Sequence, residues 1–155
     1  MFDQLNLPPY DIQLRKSDNQ AIEVFDTFRS TWVVLTPEEW VRQHFAHFLV
    51  SECGVPASFL ANEVGIKLNN TRRRCDTVIY RRNLQPLCIV EYKRPTVVIT
   101  SAVFDQIARY NMVLGCPWLI VSNGLNHYVC KFDGQQYHFV PQIPSYQQMN
   151  ESNIQ

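Results

Sequence analysis

The sequence predicts a single α/β domain in which helices cover a mixed sheet. Three observations carry this. Two stretches with helix-start signals and an apolar face, near residues 37–53 and 100–114, are separated by short runs rich in β-branched and aromatic residues. Those runs are punctuated by turn pairs such as Asn123-Gly124 and Asp133-Gly134. A length of 155 residues, 46% hydrophobic and 12% aromatic, supplies one sizeable core and excludes a disordered tail or a low-complexity linker.

The elements follow in order. From Ile12 to Leu35, apolar and polar residues alternate in places around the turn-like Lys16-Ser17-Asp18-Asn19, which predicts a prelude of two or three antiparallel strands over 12–35. Thr36-Pro37-Glu38-Glu39 then starts a helix, with Thr36 as N-cap, Pro37 at N1 and Glu39 in a capping box. It should run to about Cys53, ahead of Gly54 and Pro56. Val41, Phe45, Phe48 and Leu49 form its apolar face. Helical geometry puts Glu38 about 40° from the centre of that face, whereas Glu39 falls on the far side and is explained as the cap.

After a short connection over 56–63, Thr77–Tyr80 and Pro86–Lys93 read as strands joined by a turn near Asn83. A second helix spans Thr100 to about Leu114 and is closed by Gly115. Trp118–Val121 is a short buried strand, and His127–Phe132 and Gln136–Val140 form a last hairpin about Asp133-Gly134. The layout is a domain over 1–144, with a core over 36–124 and a terminal hairpin over 127–140, followed by a flexible tail over 145–155.

Charge is neutral in sum and uneven in place. Eight of the 14 basic residues and two of the 14 acidic ones lie between Lys67 and Arg94, so that segment carries +6 and the remainder −6. The asymmetry points to a polyanion-facing surface, and its plainer explanation is a solvated, arginine-rich hairpin. No apolar run is long enough for a membrane span, and the N-terminus lacks a secretory signal. The five cysteines are odd in number with no C-x-x-C pair, which predicts reduced thiols and a cytoplasmic location. His44 and His47 form an H-x-x-H without further ligands at zinc spacing.

The two acids of the basic segment are Asp76 and Glu91. A turn about Asn83-Leu84 places them directly across from one another, each seven residues from the turn, with Cβ atoms about 5 Å apart. Carboxylates that close repel unless neutralised, and Mg²⁺ does so through one or two carboxylates, waters and phosphate. Strand alternation puts Lys93 on the face of Glu91. The alternative is a surface hairpin with a cross-strand ion network, and a register slip of one residue would part the two acids. Gln106 and Tyr110 share a face of the second helix, beside its apolar stripe. Glu38 aims an acid inward, with Arg42 as a possible partner.

Glu38, Asp76, Glu91-Tyr92-Lys93 and Gln106-x-x-x-Tyr110, in this order, resemble the PD-(D/E)XK nuclease superfamily. More closely, Thr36–Gln43, Val90–Pro95, Phe104–Asn111 and Ser122-Asn123-Gly124 resemble the N-terminal nuclease domain of type I restriction enzyme R subunits. The likeness spans roughly residues 35–124, and the stretch before it resembles the prelude of small stand-alone relatives. Cys75 stands where the superfamily motif has proline.

The resemblance implies a restriction-endonuclease-like fold and a nuclease dependent on Mg²⁺, or Mn²⁺ in its place. Asp76 and Glu91 would bind the metal with Glu38 and the Tyr92 carbonyl, while Lys93 would orient the attacking water. Gln106 and Tyr110 would fix the geometry or contact the DNA backbone. Arg72, Arg73, Arg74, Arg81, Arg82 and Arg94 would hold phosphates without reading sequence. Restriction-modification subunits are implied partners. No G-x-x-x-x-G-K-[ST] occurs in these residues, so cleavage by this chain would be ATP-independent. The rival reading is a catalytically silent DNA-binding or assembly module on the same fold.

Overall fold

Alternation along the central strands sorts the core into two layers. The computed structural model describes residues 2–68 and 70–151, without the side chains of Leu68, Tyr110, Met112 and Val113. Its six-stranded sheet runs in chain order through β4 (Leu60–Leu68), β5 (Thr71–Tyr80), β6 (Pro86–Tyr92), β7 (Trp118–Ser122), β8 (His127–Phe132) and β9 (Tyr137–Val140). Cys88, Val90 and Tyr92 of β6 join one apolar cluster with Val41, Phe45 and Leu49 of α1 (Pro37–Ser51). Ile89, between them, joins a second cluster with Ile107 of α2 (Ser101–Leu114). The sheet is covered on both faces, which is why its middle strands read as nearly continuous apolar runs. β6 and β7 pair in parallel while the other neighbours pair antiparallel, and α2 is the crossover such a pair needs.

The prelude forms a separate antiparallel sheet of β1 (Leu14–Lys16), β2 (Ile22–Asp26) and β3 (Thr31–Val34). At the start of α1, Thr36 Oγ1 accepts the Glu39 N–H at 3.0 Å, as an N-cap should. The other half of the capping box is absent. Glu39 is buried, and its carboxylate accepts instead from Arg29 Nη2 at 3.0 Å and Gln43 Nε2 at 2.9 Å. A buried acid needs cationic and amide partners more than a helix terminus needs a second cap. Gly115 closes α2 in the left-handed conformation at φ 65°, with its N–H on the Asn111 carbonyl.

Two stretches differ from expectation. β4 and the first half of β5 form a long hairpin across the expected connection over 56–63 and the β-rich stretch after it, in which the first strand was placed only at Thr77. Its tip is rich in Asn, Thr and Arg, so it lacks the apolar alternation by which strands are recognised. The expected flexible tail is also ordered in part, as α3 (Tyr146–Glu151). Tyr146 and Met149 are buried against the first cluster, and the Tyr146 hydroxyl donates to the Tyr80 carbonyl at 2.8 Å. Two anchors one turn apart are too few to raise a visible helical period.

Candidate active site

The hairpin register decides where the carboxylates meet. β5 and β6 pair Ile79 with Cys88, Val78 with Ile89 and Thr77 with Val90, but Tyr80 with Pro86, across a bulge between Ile79 and Tyr80. The reversal is therefore centred on Asn83. Carried inward without the bulge, it would set Asp76 opposite Val90 and turn Glu91 to the other face. The bulge adds the one residue that restores Asp76 to the position across from Glu91. Pairing stops at Thr77 and Val90, and Asp76 exploits the opening: its Oδ2 accepts the Tyr92 backbone N–H at 2.8 Å.

Both acids are buried, Glu91 at 8% exposure and Asp76 at 9%. Burial first, then the charge of Asp76 and a hydrogen bond to it, push the Glu91 carboxyl up to about 9, against the pull of Lys93. Its Oε2 is buried without a hydrogen-bond partner. Half-buried Glu38 is also raised, by burial and then by Asp76, while Arg42 and Lys93 oppose the shift. Glu38, Asp76, Glu91 and Lys93 thus share one electrostatic neighbourhood, and of the two glutamates at the start of α1 it is Glu38 that turns toward it. The Lys93 backbone N–H bonds the Ser122 carbonyl at 2.9 Å, continuing the parallel ladder past β6.

Behind the acids lies a polar layer that sequence reasoning did not foresee. Arg42, considered only as a partner for Glu38, is 5% exposed and backs Asp76 instead. Its Nη1 donates to the Asp76 carbonyl at 3.1 Å, and its Nη2 lies 2.7 Å from Glu63 Oε1 and 3.8 Å from Asp76 Oδ1. Its Nε lies 3.2 Å from Glu39 Oε2. Fully buried Asp26 of β2 accepts from Gln43 Nε2 at 3.0 Å and Asn62 Nδ2 at 3.1 Å. Asn62 in turn accepts from the Thr77 hydroxyl at 2.6 Å, and Thr77 shares a 2.8 Å bond with the Tyr92 hydroxyl. Burial pushes the Asp26 carboxyl up, but its hydrogen bonds with Arg29 outweigh this and hold it below its ordinary value. The prelude sheet is thereby tied through β4 and β5 to the residue between Glu91 and Lys93. The i, i+3 and i, i+4 relations among Glu39, Arg42 and Gln43 were the only sequence sign of this layer.

Ser122-Asn123-Gly124 has a structural role beside the site. Asn123 Oδ1 accepts the Leu125 and Asn126 N–H groups, and Asn123 Nδ2 donates to the Val97 carbonyl at 2.9 Å, pinning the loop that follows Lys93. Gly124 has φ +85°, and a Cβ there would stand 2.7 Å from Leu5 Cδ2.

The structure separates the six arginines. Arg72, Arg73 and Arg74 are exposed at the start of β5, and exposed Arg94 follows Lys93. Arg81 and Arg82 lie past the other end of β5, roughly 17 Å of strand from Asp76. Arg81 donates to Asn150 Oδ1 at 3.2 Å, and Arg82 lies over the Phe59 ring. They line a cleft of about 800 Å³ with Glu52, Tyr146 and Glu151, away from the carboxylates. Gln106 is exposed on α2, and the Tyr110 side chain lies outside the described residues. His44 Nδ1 meets the Trp40 carbonyl, while His47 stacks on Tyr10, so both serve packing. The five cysteines are free and buried.

Among the described residues, no three His, Cys, Asp or Glu side chains form a ready-made metal cage. Mg²⁺ does not require one, since it binds through one or two carboxylates with water and phosphate. A buried carboxylate oxygen without a partner, beside a second carboxylate, is the donor set such an ion fits. Among the described residues, no helix is long and apolar enough to cross a membrane. No curated protein matches the chain. Residues 37–144, from the first residue of α1 past the last strand of the sheet, match the type I restriction enzyme R protein N terminus (HSDR_N), and the chain belongs to that family.

Proposed function

We propose that this chain is a metal-dependent DNA nuclease module that hydrolyses phosphodiesters at Asp76, Glu91 and Lys93. The observation that carries the proposal is the buried pair itself. Glu91 is held beside Asp76 with one oxygen unpartnered and its carboxyl raised, an arrangement that costs stability unless a cation completes it. Asp76 and Glu91 would hold Mg²⁺ or Mn²⁺, with Glu38 and the Tyr92 carbonyl at the margin of the site. A divalent ion there supplies Lewis-acid polarisation of a phosphoryl oxygen and a more acidic bound water. The Tyr92 N–H and Arg42 keep the Asp76 carboxylate aimed. Lys93 orients the attacking water and stabilises the charge that grows on the phosphate as the bond to the leaving sugar oxygen breaks. Exposed Gln106, with Tyr110 one turn on, steadies the DNA backbone at the edge of α2, and Arg72, Arg73, Arg74 and Arg94 hold phosphates around the site. Restriction-modification subunits are the fitting protein partners for a member of this family.

The test is plasmid cleavage with Mg²⁺ or Mn²⁺, comparing the wild type with Asp76→Ala. Cleavage by the wild type and its loss in the variant are expected. Equal cleavage by both, or none by either across metals and salt, would sink the catalytic assignment.

A further inference from the structure

β4 and β5 break their alternation at the same rung. Their ladder pairs Asn62 with Thr77 and Val64 with Cys75, and leaves Glu63 and Asp76 out between them. Residues two apart on an unbroken strand share a face. Here they do not. Asn62 and Thr77 join the polar layer with Asp26 and Tyr92, whereas Val64 and Cys75 pack in the cluster with Ile107. The Glu63 backbone is left-handed at φ 60°, a conformation that strains a residue with a long side chain. Such an outlier, set opposite an acid of the site, is explained by what its side chain does there.

That side chain engages Arg42. Glu63 Oε1 lies 2.7 Å from Arg42 Nη2, and Glu63 Oε2 lies 3.3 Å from Arg74 Nη1. The same Arg42 Nη2 is 3.8 Å from Asp76 Oδ1, too far for a hydrogen bond. Asp76 Oδ2 accepts the Tyr92 N–H, so Oδ1 is the oxygen left for a cation. Arg42 is 5% exposed, and a guanidinium buried to that degree needs an anionic partner. A movement of about 1 Å would close Nη2 on Oδ1 in a charge-assisted hydrogen bond. Asp76 would then hold a guanidinium where the metal belongs.

We infer that Glu63 is a positioning residue for the metal: it holds Arg42 Nη2 off Asp76 Oδ1 and so keeps that oxygen open to the cation. The inference rests on the metal-dependent reading above and names the residue that keeps its site accessible. Both Glu63 oxygens are already engaged by arginines, so Glu63 acts through Arg42 and not as a ligand. Arg42 still steadies Asp76 from behind, through the Nη1 hydrogen bond to the Asp76 carbonyl at 3.1 Å. Glu63 sets how near the other nitrogen comes.

The test is Glu63→Gln, which keeps the size of the side chain and the same backbone strain while removing the charge that holds Arg42. A crystal structure of the metal-free variant should show Arg42 Nη2 closed on Asp76 Oδ1 at about 2.8 Å. A separation still near 3.8 Å would overturn the inference. In calorimetric titration with Mn²⁺ and with Mg²⁺, the variant should bind about 10- to 100-fold more weakly than the wild type. The same substitution made on top of Arg42→Gln should leave metal affinity nearly unchanged, because the competing guanidinium is gone. An equal loss in both backgrounds would mean that Glu63 acts on the cation directly, and would overturn the positioning role. The crystal structure of the single variant decides the point even where Arg42→Gln does not fold. Metal binding by the wild type with no loss in Glu63→Gln refutes the role of Glu63 alone. Binding that depends on Glu63, without any DNA cleavage, refutes the nuclease alone. A wild type that binds neither metal refutes both.

Discussion

Glu91→Gln should make the metal-free protein more stable, and by an amount that grows with pH. In the native state the Glu91 carboxyl is raised from an ordinary 4.5 to about 9, by burial and then by Asp76. Between those values the native protein binds the proton that the unfolded chain has released, so stability falls as pH rises through that window. The contribution is complete below about pH 4.5. At pH 7 the loss is bounded by the 2.5 units separating neutrality from the unfolded value, which at about 1.4 kcal/mol per unit is about 3 kcal/mol. The glutamine amide has the shape of the protonated acid and can donate to Asp76 as that acid does, yet it has no proton to lose. The variant should therefore match the wild type near pH 5 and exceed it by up to about 3 kcal/mol at pH 7, roughly 10 °C in Tm for a chain of this size. Thermal unfolding in chelator at several pH values measures this. Added Mg²⁺ should narrow the gap by stabilising only the wild type, by about 2.7 kcal/mol at a hundredfold excess over Kd. Parallel pH profiles, or a variant less stable than the wild type at pH 8, would refute the reasoning.

Two further outcomes follow from the packing. Arg42→Met should cost about 3–5 kcal/mol in urea unfolding at pH 7, because it strands Glu39, Glu63 and Asp76 around a buried site without their shared cation. Met149→Ala should cost about 3 kcal/mol by the same assay, since the side chain is fully buried on α3, and a cost near zero would mean that α3 does not hold its place in solution.

The helices were legible from their ends. Thr36 and Pro37 before α1, and Gly115 after α2, act within a few residues of themselves, and local chemistry of that kind survives without the rest of the fold. Asp76 and Glu91 were legible as a pair for a less secure reason. Symmetry about Asn83-Leu84 placed them correctly, but the loop turns about Asn83, and the bulge at Ile79 and Tyr80 makes up the difference. Nothing in the residues around Ile79 announces that bulge. The β4 half of the hairpin was not placed as a strand because its outer face is cationic and its tip polar, while the apolar residues that hold it, Ile66 and Cys75, are few and lie on different strands.

What the sequence determined by itself is the order of elements, the concentration of positive charge between Lys67 and Arg94, and the short list of acids within it. Tertiary structure decided how those residues are used. It drew Glu38, rather than Glu39, toward Asp76 and Glu91, and gave Glu39 to Arg29, Gln43 and Arg42. It divided one basic segment between the paired ends of β4 and β5 and a turn at the far end of β5. The physical reason is common to both. Charge and hydrogen-bonding capacity are written in each residue, but desolvation and partnership arise only between elements distant in the chain, and these set what a buried carboxylate or an exposed arginine does.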